Sequence, residues 1–254
     1  MTAGLQVFND NGSIQFTTET FSMVLHSKGT VTTIAPIPVQ VVLPPYQYIG
    51  DKCTSRATFS STSLPPNGVF AFACTEKISA KDGGTPVSAS AAGGASGFNL
   101  ACNGAIGTTI EWWYFCPSNN MPASGSNTGI QVFSSTGEVC YDSAYKPLRV
   151  VDFKARIQGS GTTWSQGDIG SFTYTAGRKY AMIPCAPGGI RLSTDRGGGR
   201  KDGDNMNVLG SISGNVVTIA SQIGSIAGTY ITSLNSGTWY YGNWAVLIAD
   251  VTDL

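Results

Sequence analysis

Charge is what this chain has least of. Asp, Glu, Lys and Arg make up 12% of its 254 residues, about half the usual share, and the two signs cancel to a net charge of zero. No basic run or stripe stands out, which removes the electrostatic footing for nucleic-acid binding. A net charge near zero also favours association over a dissolved monomer, so much of the surface is expected to be covered by partners. Histidine is almost missing: His26 stands alone, beside Ser27 and Lys28. A Ser-His-Asp triad could therefore form once at most, and no G-x-S-x-G elbow accompanies it. No apolar run reaches the length of a membrane-spanning helix, and Met1-Thr2-Ala3 shows no basic n-region or apolar h-region of a signal peptide. The expectation is synthesis in a cytoplasm without export or membrane insertion. The cysteines (Cys53, Cys74, Cys102, Cys116, Cys140, Cys185) show neither C-x-x-C nor zinc-ligand spacing. Without export they read as reduced thiols, with Cys74 and Cys116 inside apolar runs and so in a core.

What is abundant is glycine, with 32 residues, alongside Ser, Thr and short runs crowded with β-branched residues. That is an all-β composition with many turns. Its organising feature is a repeat. Gly4-Leu5-Gln6-Val7-Phe8, a polar turn and Gly12-Ser13-Ile14-Gln15-Phe16 return 125 residues later as Gly129-Ile130-Gln131-Val132-Phe133, a turn and Gly137-Glu138-Val139-Cys140-Tyr141. Register then holds through Met23-Val24-Leu25, which falls on Leu148-Arg149-Val150. Each copy alternates apolar and polar residues as a strand pair does. Asn11-Gly12 supplies a hairpin turn, and Gly137 keeps the glycine where its neighbours change, as a structural role for Gly12 and Gly137 requires. The period is too long for a solenoid. It predicts two homologous β-sandwich-like domains in tandem, residues 1–125 and 126–254, divided in the polar linker Pro117–Thr128 that immediately precedes the second copy of the motif.

Further strands are expected at Met23–His26 (with a turn at Lys28-Gly29), Val39–Leu43 between prolines, Ala57–Phe59, Val69–Cys74, Phe98–Ala101 and Thr108–Phe115. The second half adds Val150–Phe153, Ser171–Tyr174, Tyr180–Cys185 as a mirror of Phe70–Cys74, Val216–Ile226 and the aromatic end from Thr238 to Ala249. Residues 79–97 (Ser, Ala and Gly) and 187–207 (Gly and Arg) read as loops. The counterpart of the aromatic strand Trp112-Trp113-Tyr114 is either Trp239-Tyr240-Tyr241 or the terminal strand.

Few residues suggest chemistry. Glu111 beside Trp112 and Trp113 could serve as a glycosidase acid in apolar surroundings, yet no partner carboxylate is identifiable and a solvent-facing edge position explains it as well. Asp202-Gly203-Asp204-Asn205 resembles the opening of a calcium loop, but Met206 occupies a ligand position and no closing Glu follows. Gly197-Gly198-Gly199-Arg200-Lys201 lacks the phosphate-loop pattern. No catalytic residue, metal ligand or cofactor is assigned. Trp112, Trp113, Tyr114, Trp239, Tyr240, Tyr241 and Trp244 must alternate between faces on their strands; the outward set would anchor a protein interface or, as the less favoured reading, stack on sugars. Arg191, Arg196, Arg200 and Lys201 would dock an acidic neighbour.

The G-[LI]-Q-V-F-x(3)-G hairpin at Gly4–Gly12 and Gly129–Gly137 resembles the start of small tail-associated proteins of tailed bacteriophages, which begin G-L-x-V-F-(N/D)-x-x-G. The resemblance covers about twenty residues of each copy, and the chain departs from the pattern in carrying it twice. It implies a structural virion protein of the tail tip or baseplate, present in several copies, with other tail proteins as partners and a host surface receptor as a further one. Two alternatives stand beside it: a receptor-binding module for a host glycan or protein, and a capsid or tail decoration protein.

Overall fold

The computed structural model describes residues 6–8, 14–17, 20–34, 55–80, 96–122, 124–126, 128–156, 170–195, 201–227 and 237–254. Within them the fold is all-β, with one 3-10 turn at Ser118–Asn120. The first half contributes β1 (Gln6–Phe8), β2 (Ile14–Thr17), β3 (Met23–Thr32), β4 (Ser55–Ser61), β5 (Val69–Ala73), β6 (Ile78–Ala80), β7 (Ser96–Cys102) and β8 (Thr109–Pro117). The second contributes β9 (Gln131–Phe133), β10 (Val139–Asp142), β11 (Arg149–Arg156), β12 (Ser171–Thr173), β13 (Tyr180–Asp195), β14 (Lys201–Ser213), β15 (Val216–Ala227) and β16 (Gly237–Asp250).

The repeat governs the pairing. In the first hairpin Gln6 faces Thr17, Val7 faces Phe16 and Phe8 faces Ile14. In the second, Gln131 faces Asp142, Val132 faces Tyr141 and Phe133 faces Val139. Each pair is the other displaced by the same 125 residues, bulge included. The correspondence continues past the motif: β3 pairs with β8 with a bulge at His26, and β11 pairs with β16 with a bulge at the equivalent Val151. In both halves the third strand lies beside the eighth and the eighth beside the fifth; the fourth lies beside the seventh and the seventh beside the sixth. The ladders also settle the counterpart of the aromatic strand. Val24 faces Cys116 as Arg149 faces Asp250, so Trp112-Trp113-Tyr114 corresponds to Val246-Leu247-Ile248 of the terminal strand. The mirror of Phe70 is Met182, one residue on from where the sequence alignment sets it.

Among the described residues this winding follows six strands of a jelly roll in each half. The halves are joined across it: β5 bonds to β13 at Phe72–Met182, and β6 bonds to β14 at Ile78–Gly210. Two six-stranded paths result, β3-β8-β5-β13-β16-β11 and β4-β7-β6-β14-β15-β12, each drawing three strands from either side of residue 125. The first path is stitched back on itself at the starts of β3 and β11. There Val24 bridges Pro147, and Leu148 N–H donates to Met23 C=O at 2.8 Å. Met23 and Leu148 are repeat equivalents, so like meets like in antiparallel fashion, which is the signature of a local two-fold axis.

One apolar core runs through both halves. In the first, Phe59 and Phe98 of the β4–β7 layer close on Phe70, Phe72 and Trp112, and Tyr114 packs on Phe70, with ring centroids 4.7 Å apart for Phe59–Trp112 and Phe70–Tyr114 and 4.8 Å for Phe72–Phe98. Such aromatic pairs contribute about 0.5–1.5 kcal/mol each beyond the area they bury. In the second half smaller residues, Ile212, Val217, Ile219, Val246 and Ile248, take these places.

Three local expectations change. β3 does not turn at Lys28-Gly29 but runs on to Thr32. Gly29 is there because the Trp112 indole lies over it: a Cβ would meet Trp112 Cζ2 at 2.9 Å. The Gly- and Arg-rich stretch expected as a loop is instead the ends of two long strands, β13 to Asp195 and β14 from Lys201. Ladder bonds to strands on both sides override the low strand propensity of its glycines. The segment 79–97 is entered by β6 and left by β7, while 81–95 lie outside the described residues, as does the Val39–Leu43 strand.

Candidate functional site

Two regions gather the residues singled out by the sequence. The first is a cleft of about 530 Å³ on the seam between halves, lined by Lys28, Gly29, Glu111, Trp113, Lys179 and the segment Val251–Leu254. β8 brings Glu111, Trp112 and Trp113 to it, and the turn at Gly177, whose φ is +78°, brings Arg178 and Lys179. Lys179 Nζ donates to Glu111 Oε2 at 2.5 Å and sits 5.3 Å from the centre of the Trp113 ring. The residues after β16 are held by main-chain acceptors: Lys28 Nζ donates to Leu254 O at 2.5 Å, Lys146 to Asp253 O and Arg149 to Thr252 O. Asp250 anchors this strap, taking Arg178 at 2.7 Å and the Thr252 N–H at 2.9 Å.

No aromatic of β8 is left outward to anchor a partner. Trp112, Trp113 and Tyr114 are 7%, 3% and 1% exposed. Alternation does place Trp112 against Phe59 of β4 and Phe98 of β7, with Tyr114 beside Phe70, but Trp113 on the opposite face, where the sequence expects solvent or a partner, is buried with Lys179 of the second half over its ring. Tyr114 donates its hydroxyl to Pro65 O at 2.5 Å, and burial pushes its pKa up. Both indole N–H groups of Trp112 and Trp113 are buried without an acceptor. Glu111 is half-exposed and ion-paired with Lys179, so it lacks the apolar enclosure on which the glycosidase reading depends. His26 is half-buried on the bulge of β3, bonded to Ser27 Oγ at 3.1 Å and edge-on to Tyr114, and burial lowers its pKa.

Among the described residues the second region lies in the second half. Beyond the point where β5 and β6 separate, β13 and β14 continue together, flanked by β16 and β15, into a four-stranded antiparallel extension. It brings together two candidate groups far apart in sequence: Arg191 lies directly opposite Trp239, and Lys201 pairs with Asp195 at the extension's end. Tyr240 stands opposite Ile190, Tyr241 opposite Gly189, and Trp244 opposite both Pro187 and Arg156. Arg196 and Arg200 lie outside the described residues. The Asp202–Asn207 stretch is extended strand in β14, not a loop able to fold around an ion. Among the described residues no group of His, Cys, Asp and Glu is placed to hold a metal, and no helix is long and apolar enough to cross a membrane.

Of the hairpin glycines, Gly137 has φ +85° with nothing within reach of a Cβ, so its need is conformational; Gly12 lies outside the described residues. The cysteines are free thiols, with Cys74, Cys102, Cys116 and Cys140 buried, Cys185 exposed and Cys53 outside the described set. Cys74 and Cys102 share a hydrogen bond that pushes the Cys74 thiol up and holds Cys102 down at about 7. Lys28, Lys146, Arg149, Arg178 and Lys179 carry no local sequence signal of this role, because each acts on main chain or a carboxylate far away along the chain, and Asp250 gathers two of these distant arginines. Only the turn glycine Gly177 beside two cations offers a local signal.

No protein-family profile, curated protein or solved structure matches the chain.

Proposed function

We propose that the chain is a structural virion protein of a tailed bacteriophage, a multi-copy tail-tip or baseplate component that works by docking to neighbouring tail proteins. The observation that carries this reading is where apolar side chains stay uncovered. Ile130 and Phe133 of the second motif copy, and Val150, Val151 and Phe153 of β11 just after it, are 47% to 60% exposed. The second copy of the stretch that resembles tail proteins thus presents apolar surface at Ile130 and Phe133, and Ile34 and Ile106 of the first half are exposed as well. Uncovered groups of this kind mark protein contacts. β11 adds an edge: among the described residues its ladder is with β16 alone, and an edge strand offers main-chain bonds to a partner. The low charge of the chain suits a covered surface. Peptide mass spectrometry of density-purified particles tests the reading. A few copies per particle support it, a number matching the capsid lattice favours a decoration protein, and absence overturns it.

A receptor-binding role is the second reading. It is favoured by the four-stranded extension of β13, β14, β15 and β16, which among the described residues reaches beyond the strands that join the two halves.

A further inference from the structure

We propose that the free edge of β11 pairs with β11 of a second copy of this chain, the two strands running antiparallel about a two-fold axis at Phe153. This deepens the docking reading above, since it rests on the same exposed strand and names the neighbour. Among the described residues β11 is bonded along one side, to β16. On its other side the main chain is answered by a side chain: Phe153 N–H donates to Asp152 Oδ1 at 2.8 Å. A strand donor held by the carboxylate next to it, and not by a ladder carbonyl, is one that an added strand can take over. Phe153 itself is 57% exposed, and Val151 and Ala155 to either side of it are exposed as well.

The charge pattern selects a second copy as the occupant. Phe153 lies between Asp152 and Lys154, so an antiparallel pair centred on it sets Asp152 of each copy directly opposite Lys154 of the other. Within one chain these two are already joined, Lys154 Nζ to Asp152 Oδ2 at 2.7 Å, with Tyr174 donating to the same oxygen at 2.8 Å. Their side chains remain 26% and 28% exposed, within reach of a partner. Two such pairs meet inverted across the axis, and each charge gains a second opposite neighbour. Other symmetric registers fail. Centring on Asp152 sets carboxylate against carboxylate, centring on Lys154 sets ammonium against ammonium, and moving on to Ala155 parts Asp152 from Lys154. Charges on an edge strand block pairing in general; here they admit one register, which is how charge supplies specificity. On the outer face the two Phe153 side chains meet, their Cα atoms about 5.5 Å apart, and cover apolar surface that one chain leaves open. The six-stranded path that ends in β11 continues into its copy, and a surface that contacts itself closes at the dimer.

Sedimentation equilibrium of the purified full chain tests the pairing. A monomer–dimer equilibrium is expected, with a dissociation constant on the order of 10–100 µM for so short a ladder. Phe153→Lys, at an exposed position, should weaken it by about tenfold or more, with the circular dichroism unchanged. Asp152→Lys and Lys154→Asp should each do the same, the first by setting ammonium groups against each other and the second by setting carboxylates. An equimolar mixture of these two variants should recover the dimer as a heterodimer, because each chain then meets only the opposite sign of charge. Should a charge variant perturb folding, Phe153→Lys still reads the edge. A chain that stays monomeric up to about 500 µM, a dimer indifferent to Phe153→Lys, or charge variants that fold but do not recover one another would overturn the proposal. A monomer would leave the virion reading standing, with β11 free for another tail protein. Absence of the chain from particles would overturn the virion reading and leave the pairing standing.

Discussion

Replacing Asp250 tests how the seam is held. Its carboxylate is 4% exposed, accepts from Arg178 at 2.7 Å and from the Thr252 N–H at 2.9 Å, and faces the Arg149 guanidinium at 3.6 Å. Burial by itself would raise its pKa, but the Thr252 donors, Arg178 and Arg149 together hold it below the usual carboxylate range. Asp250→Ala strips the acceptor from three donors. The two arginine side chains are 48% and 40% exposed, so water replaces much of what they lose, and the cost falls below that of a fully buried pair. Two charge-assisted bonds discounted for that exposure give a loss of about 2–3 kcal/mol. In a chain of this length that is a drop of about 5–10 °C in Tm. Asp250→Asn keeps the shape and one acceptor and should lose about half as much.

The pH dependence supplies the sharper check. The folded carboxyl titrates below its unfolded value, so the unfolded chain takes up its proton first as pH falls. The stabilisation is present in full above the unfolded pKa of about 3.9 and fades as pH drops through the folded value. Urea unfolding followed by tryptophan fluorescence should therefore show the gap between wild type and Asp250→Asn in full at pH 7 and closing towards pH 3. A gap that stays constant with pH, or one below about 0.5 kcal/mol at pH 7, would refute the assignment.

Three further predictions concern the fold. Gly68→Ala puts a Cβ 2.2 Å from Tyr114 Cζ and 2.6 Å from the Phe115 carbonyl; a loss of about 3 kcal/mol in urea unfolding is expected, from overpacking and the displaced Tyr114–Pro65 bond, and a neutral result would contradict the packing. In a Cys53→Ser background a thiol reagent should modify Cys185 quickly and the four buried cysteines only on unfolding, so fast reaction of several thiols would contradict their burial. Residues 1–125 expressed alone lose the partners of β5 and β6 and should self-associate through those edges on gel filtration, whereas a folded monomer would show that the first half needs no completion.

Much of this architecture was legible in the sequence because repetition and alternation are local signals. The hairpins, their shared register and the positions of β4, β5, β7, β8, β11 and β12 follow from period-two patterning around turn residues. Other features depend on partners distant along the chain. Gly29 reads as a turn residue until Trp112 is seen lying over it. Gly188, Gly189 and Gly203 read as loop until β16 and β15 flank them. The covering of Trp113 depends on how the second half sits against β8, which no pattern within β8 reveals. The candidate site was legible in its parts, Arg191 and Lys201 in one stretch and Trp239 and Tyr241 in another, but not in its assembly. Their meeting rests on a strand register linking residues 48 positions apart, Arg191 and Trp239.

The most direct test of the functional account is to see where the chain sits in a particle. Antibodies raised against it, applied with gold label to purified intact phage and viewed by negative-stain electron microscopy, should mark the distal end of the tail. Label spread over the capsid, or particles that carry none while the antibody recognises the free protein, would contradict the account.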